Sequence, residues 1–211
     1  MHLHLVRHAP PLIDTAVPAA RWPLDPAQLA TLTPLKASGV LPILAATWCS
    51  SMEPKAMATA ELLAAATDVH HLAELGEAAR PACWSERAEF EATVERSFTR
   101  PTEPASPEWE TVDAVRRRLL RALDDAVVPL AARRGHDDVV LVGHGTAWTV
   151  LVSALTAGSP DLDSWRAMTM PDHCQLEVEV GRPTSRAGGT WRARVLRHWG
   201  DWRAAGDDRP A

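Results

Sequence analysis

The first apolar pattern lies in residues 2–10, HLHLVRHAP, where Leu3 and Leu5 alternate with His2, His4, Val6 and His8. This short run closes on Arg7 and His8, and Ala9, Pro10 and Pro11 follow. Proline offers no ladder donor, so the pattern predicts a strand that stops there. In an open α/β sheet, ligands bind beyond the carboxyl ends of the strands, the end at which this one presents an arginine and a histidine. Residues 137–145, DDVVLVGHG, form a continuous apolar run of the kind found in strands buried on both faces, and it too ends in a histidine, His144.

Between these runs the pattern changes period. Residues 11–39 hold prolines at 11, 18, 23, 26 and 34, which predicts a loop leading into a short helix near 28–38. Residues 43–51, ILAATWCSS, predict a buried strand, and the next helix is expected to open with Ser51 as N-cap and Glu53 and Pro54 in its first turn. A short strand is expected around 68–72. Residues 74–107 are polar and irregular with helical signal at 86–98, which predicts an insertion or lid over the site. From Ser106 onward, Val112, Val115, Leu119, Leu123, Val127 and Leu130 recur at spacings of three and four, predicting the longest helix. Its arginines read as a solvated face, with Arg117 or Arg118 as the exception. A helix at 146–157, a connection at 165–170, strands at 175–180 and 190–196 and a glycine-containing turn at 181–189 complete the chain. Strands that alternate with helices predict a three-layer α/β/α sandwich with a mostly parallel central sheet.

Composition narrows the classes. With 211 residues, 46% hydrophobic and 23% charged, the chain is expected to form a single domain over residues 1–211. A net charge of −5 gives no footprint for nucleic acid, so attraction for an anion has to be local to a pocket. Cys49, Cys83 and Cys174 are odd in number and scattered, which argues against a disulfide framework or a zinc site. With no signal-peptide pattern and no apolar run long enough for a membrane span, a cytoplasmic protein is expected. Trp191, Trp199 and Trp202 are expected to pack the C-terminal segment against the body, and the tail after Asp201 to fray.

Two histidines at equivalent strand ends, flanked by the small residues Ala9, Gly143 and Gly145, suit phosphate chemistry. A guanidinium binds phosphoryl oxygens bidentately, one imidazole can attack phosphorus, and a second can donate to the transferring oxygens. Zinc-type ligation by His2, His4 and His8 is the competing reading, though no acidic or cysteine partner lies nearby in sequence.

Four segments in this order resemble the histidine phosphatase superfamily, with its phosphoglycerate-mutase-like fold. They are LVRHA at 5–9, SSMEPKAMATAELLA at 50–64, the L-x-E of Leu75 and Glu77, and VGHG at 142–145. The resemblance implies that His8 is the nucleophile and forms a phosphohistidine, that Arg7, Lys55 and His144 bind the phosphoryl group, and that Glu77 gives a proton to the leaving oxygen. Such a carboxyl is expected to be held protonated, and His8 to be held neutral by an acceptor on one ring nitrogen. Glu74 and Glu86 compete with Glu77 for this role. The implied reaction is hydrolysis of a small phosphorylated substrate with no metal or cofactor. The alternatives are a catalytically weak or inactive phosphate-binding member and a mutase-type phosphotransferase. Lys55 stands where the family commonly has arginine, replacing a planar fork by a point charge, and Asp14 falls near a loop position where an anion would repel phosphate.

Overall fold

A computed structural model describes residues 1–81, 85–180 and 191–206. In β1 (His2–Arg7) the alternation sorts side chains onto two faces, Leu3 and Leu5 entering one core and Val6 the other. β4 (Asp138–Gly143) repeats it, with Val139 and Leu141 in the first core and Val140 and Val142 in the second. The two strands pair in parallel, Leu3 opposite Val139 and Val6 opposite Val142, so their apolar sets reinforce one another. Covered on both sides, β4 needs no polar alternation.

Among the described residues six strands form one sheet, completed by β2 (Ala46–Ser50), β3 (Val69–His71), β5 (Asp172–Val180) and β6 (Trp191–Arg197), in the order β3-β2-β4-β1-β5-β6. The first four strands in that order are parallel; β5 is antiparallel to β1, and β6 to β5. This is the expected layered architecture, with a mixed sheet whose antiparallel members gather at one edge. On the Val6 face lie α1 (Leu32–Ala37) and α2 (Pro54–Ala64), with Leu35, Ala60 and Leu63 fully buried. The Leu3 face is covered by α3 (Arg87–Thr99), α4 (Val112–Ala122), α5 (Val128–Arg134), α6 (Gly145–Leu155) and α7 (Leu162–Ala167), through residues such as Val94, Leu119, Ala131, Leu151 and Trp165.

Several boundaries differ from the sequence expectation, each for a local reason. α4 starts after Thr111, whose hydroxyl accepts the Ala114 N–H at 3.2 Å, and not at Ser106. Between α4 and α5 the residues Leu123–Val127 widen into a π-helical turn just before Pro129, which has no N–H to give. Residues 165–170 are not simply a connection, because Asp161 accepts the N–H groups of Asp163 and Ser164 at 3.0 and 3.1 Å and starts α7. Ser51 does not cap α2; Glu53 holds that position.

Trp202 is buried in the second core and donates its indole N–H to Asp172 at 2.9 Å, while Trp191 and Trp199 pack on the first core. The segment after Asp201 is therefore anchored as a helical turn over Asp201–Gly206 and is not frayed there. Cys49 and Cys174 are buried, with burial pushing both thiols up to about 12. Cys83 and the turn expected at 181–189 lie outside the described residues. No helix among the described residues is long and apolar enough to cross a membrane.

Candidate active site

The site forms where β1, β2 and β4 end together. The His8 N–H donates to the Gly143 carbonyl at 2.9 Å and the Ser51 N–H to the Val142 carbonyl at 3.0 Å, fixing three strand ends side by side. The Ala9 N–H donates to the Thr59 hydroxyl at 3.1 Å, and that hydroxyl donates to the Lys55 carbonyl at 2.7 Å, tying the end of β1 to the first turns of α2. From below, the Trp148 indole donates to the Val6 carbonyl at 2.9 Å. A Cβ on Gly143 would stand 2.5 Å from this indole, so the residue before His144 has to be glycine. At Gly145 a Cβ would come within 3.3 Å of the Arg7 guanidinium, so its absence keeps space beside that cation.

His8 is 6% exposed, and its Nδ1 lies 2.7 Å from the Ala9 carbonyl oxygen. A carbonyl can only accept, so Nδ1 carries the proton and Nε2 keeps the lone pair. Burial holds the pKa of His8 well below its ordinary value, helped by the charges of Lys55 and Arg7 and opposed by the Ala9 carbonyl. At neutral pH this ring is uncharged, with its lone pair on Nε2.

The His144 ring meets the His8 ring edge-on, centroids 5.2 Å apart. Its Nε2 is 2.7 Å from the Ser51 hydroxyl and 3.3 Å from a Glu53 carboxylate oxygen. Burial lowers the pKa of His144 to about 3, against the raising influence of Glu77. Arg7 donates one N–H to the Met168 carbonyl at 2.8 Å, while its Nε is buried without a hydrogen-bond partner among the described residues. An orphaned guanidinium N–H is an opening for an anion. Lys55, 5% exposed, donates to the Ala19 carbonyl at 2.8 Å and forms an ion pair with Glu53 at 2.5 Å. The expected phosphate-binding cation is thus present and already paired.

Glu77 sits at the N-terminus of α6. Its carboxylate accepts the Ala147 N–H at 2.8 Å, the Ala78 N–H at 3.0 Å and the Thr146 N–H at 3.3 Å, so it meets free amides and the positive end of the helix dipole. Burial pushes its pKa up, but His144, Arg80 and these amides outweigh it and the net shift is downward. The expectation of a carboxyl held protonated is corrected here: in the ligand-free protein hydrogen bonds favour the charged form. Arg118 fastens this corner. It donates to the carbonyls of Glu74, Gly76 and Glu77 and pairs with both oxygens of Glu110, at 3.1 and 2.8 Å.

Glu74 and Glu86, the competing carboxylates, are both exposed, and Glu86 occupies the N-cap position of α3. Asp14 is exposed and accepts the Ala16 N–H at 2.9 Å. His2 and His4 both turn to Asp138, at 3.2 Å each, while His4 stacks on His173 with ring centroids 5.4 Å apart. They stand apart from His8, and among the described residues no three His, Cys, Asp or Glu side chains converge as a metal site. Sequence reasoning missed three residues. Glu53, read only as a helix-opening acid, bridges Lys55, His144 and the Glu77 N–H, the last at 2.9 Å. Arg80 reaches Glu77 and His144 electrostatically. Asp172, fully buried, accepts Thr169, His173, Gly200 and Trp202 donors, holding the turn that carries the Met168 carbonyl to Arg7.

The sequence matches the profile of the histidine phosphatase superfamily (branch 1) over residues 28–188, a span that includes Lys55, Glu77 and His144 and starts after Arg7 and His8. Among solved structures, a protein described as mycobacterial hydrolase 1 superposes with a TM-score of 0.67 at 20% identity, covering 92% of this chain and 96% of that one. A mycobacterial glucosyl-3-phosphoglycerate phosphatase bound to VO3 gives 0.64 at 18%, covering 93% and 98%. A phosphoglycerate mutase from Bacillus anthracis also gives 0.64 at 18%, covering 98% and 96%. At these identities the likeness speaks to the fold. No curated protein matches the sequence above chance.

Proposed function

Because the chain belongs to the histidine phosphatase superfamily, we propose that it is a metal-independent phosphomonoesterase that works through a phosphohistidine at His8. The observation that carries this reading is the 2.7 Å contact from His8 Nδ1 to the Ala9 carbonyl in a buried ring, which leaves Nε2 as a neutral nucleophile. Nε2 attacks phosphorus, the N–P bond forms, and the ester P–O bond breaks. The arriving dianion meets the orphaned Nε–H of Arg7, the ammonium of Lys55 and the imidazole of His144. Its negative charge favours the protonated forms of His144 and Glu77, so the proton that Glu77 passes to the leaving oxygen comes with substrate binding and is not stored beforehand. Glu77 then takes a proton from water, the hydroxide attacks phosphorus, the N–P bond breaks and His8 is regenerated. Cationic side chains supply the charge neutralisation throughout.

The test is release of phosphate from phenyl phosphate and from glycerol phosphate, in buffer with and without a chelator. Turnover unchanged by the chelator is expected, and its absence for both esters overturns the proposal. Glu77→Gln sharpens it. Hydrolysis of glycerol phosphate, whose alkoxide needs a proton, falls by about 10²- to 10⁴-fold, while a good phenolate leaving group is released with a much smaller loss. Equal losses for both esters contradict a proton-donor role.

The Glu53–Lys55 pair favours a second reading, a phosphate-binding member with weak turnover, since a cation engaged at 2.5 Å gives less to an incoming anion. Saturable phosphate binding without release from either ester supports that reading.

A further inference from the structure

Resting on the phosphatase reading above, we infer that the substrate's leaving group is bulky, flat and apolar, and that it lies in the aromatic cavity beside Arg7. This cavity of about 450 Å³ falls within the range of sites that enclose whole small molecules. It touches the catalytic cluster at Arg7, at Ala19, whose carbonyl holds Lys55, and at Arg80, whose charge acts on Glu77 and His144. A phosphoryl group at Nε2 of His8 therefore has this space as its neighbour.

The walls are made by Ile13, Trp22, Phe90, Trp109, Trp165 and Met168. The Phe90 ring stands 5.8 Å from that of Trp109 and 5.9 Å from that of Trp165, both tilted, an arrangement suited to receiving another ring among edges and faces. Most charged side chains of the rim already engage a neighbour. Arg87 bonds Glu91 at 2.7 Å, Arg166 meets Glu91 at 3.7 Å and Glu95 at 3.1 Å, and the Arg80 guanidinium lies 4.5 Å over the Phe90 ring. A short, polar leaving group would compete with these contacts and would leave the aromatic walls in water. An aromatic one buries against them and breaks nothing. Ile13 is 55% exposed at the mouth, a large apolar side chain that such a ligand would cover.

The experiment compares binding of naphthylmethylphosphonate and methylphosphonate to the full chain by calorimetry, because neither can be hydrolysed. We expect the naphthyl compound to bind at least about 30-fold more tightly, as burial of an added aromatic system implies. Inorganic phosphate should displace it, since both use the Arg7 end. Ile13→Ser, at an exposed position, should cut this preference about three- to ten-fold and leave methylphosphonate affinity unchanged. Equal affinities, or naphthyl binding that phosphate does not displace, overturn the inference. Preferential, phosphate-displaceable binding without hydrolysis of naphthylmethyl phosphate upholds the cavity assignment and overturns the phosphatase reading alone.

Discussion

In His8→Asn, hydrolysis of phenyl phosphate falls by at least about 10⁴-fold, the scale of loss when a covalent nucleophile is removed. Asparagine keeps an N–H within reach of the Ala9 carbonyl, which in the native protein holds Nδ1 at 2.7 Å, so the strand end keeps its geometry. Arg7, Lys55 and His144 remain in place, and binding of inorganic phosphate should persist. Steady-state kinetics together with phosphate titration separate the two effects: kcat collapses while affinity for the anion is held. A variant that retains more than about 1% of wild-type kcat places the nucleophile elsewhere.

The second large effect is on stability at mildly acid pH. His4, His8, His144 and His173 are buried, and burial is the leading cause of a lowered pKa in each, to about 3 for His144 and His173. The unfolded chain takes up protons near the ordinary histidine value of about 6.5 that the folded chain refuses, so stability is full above that pH and falls below it. Each such histidine contributes a slope of about 1.4 kcal/mol per pH unit until its folded pKa is reached. Several acting together remove a large share of the typical 5–15 kcal/mol, roughly, within one or two pH units. Glu77, with its pKa lowered, adds to the loss at still lower pH, below the usual carboxylate range. Urea unfolding at pH 7, 6 and 5 should show the midpoint dropping at each step, and His8→Asn should flatten the slope by one proton. A midpoint that does not move between pH 7 and 5 contradicts the neutral, buried histidines on which the proposed chemistry of His8 depends.

The parts of this molecule legible in the sequence are those set by local period and composition. Leu3 and Leu5 against Val6, and the unbroken Val139 to Val142 run, specify two adjacent buried strands, and their ends carry Arg7, His8 and His144. Of Arg117 and Arg118, either of which could leave the solvated face of its helix, it is Arg118 that holds the Glu77 corner. What could not be read depends on partners distant in the chain. Glu53 looks like an ordinary helix-opening acid until Lys55, His144 and Glu77 are brought around it. Asp172 is one aspartate among many until Trp202 and Gly200 fold back onto it. Arg80 lies in a stretch with no periodic signal, and only its position over Phe90 shows that it faces a cavity. The ionisation of Glu77 is not legible in the sequence because two of the three N–H groups that favour its charged form, those of Thr146 and Ala147, come from the start of α6, some seventy residues further on. The start of α4 is legible only to within a few residues, because Ser106 looks like a cap in the sequence while Thr111, whose hydroxyl reaches the Ala114 N–H, holds that position.

The most direct measurement mixes the protein with phosphate-labelled phenyl phosphate, quenches in alkali within the first turnovers, and locates the label by peptide mapping. The expected result is a phosphoryl group that is stable to alkali, labile to acid, carried on His8 and absent from His8→Asn. Steady turnover with no labelled protein at any time, or label on another residue, would contradict it.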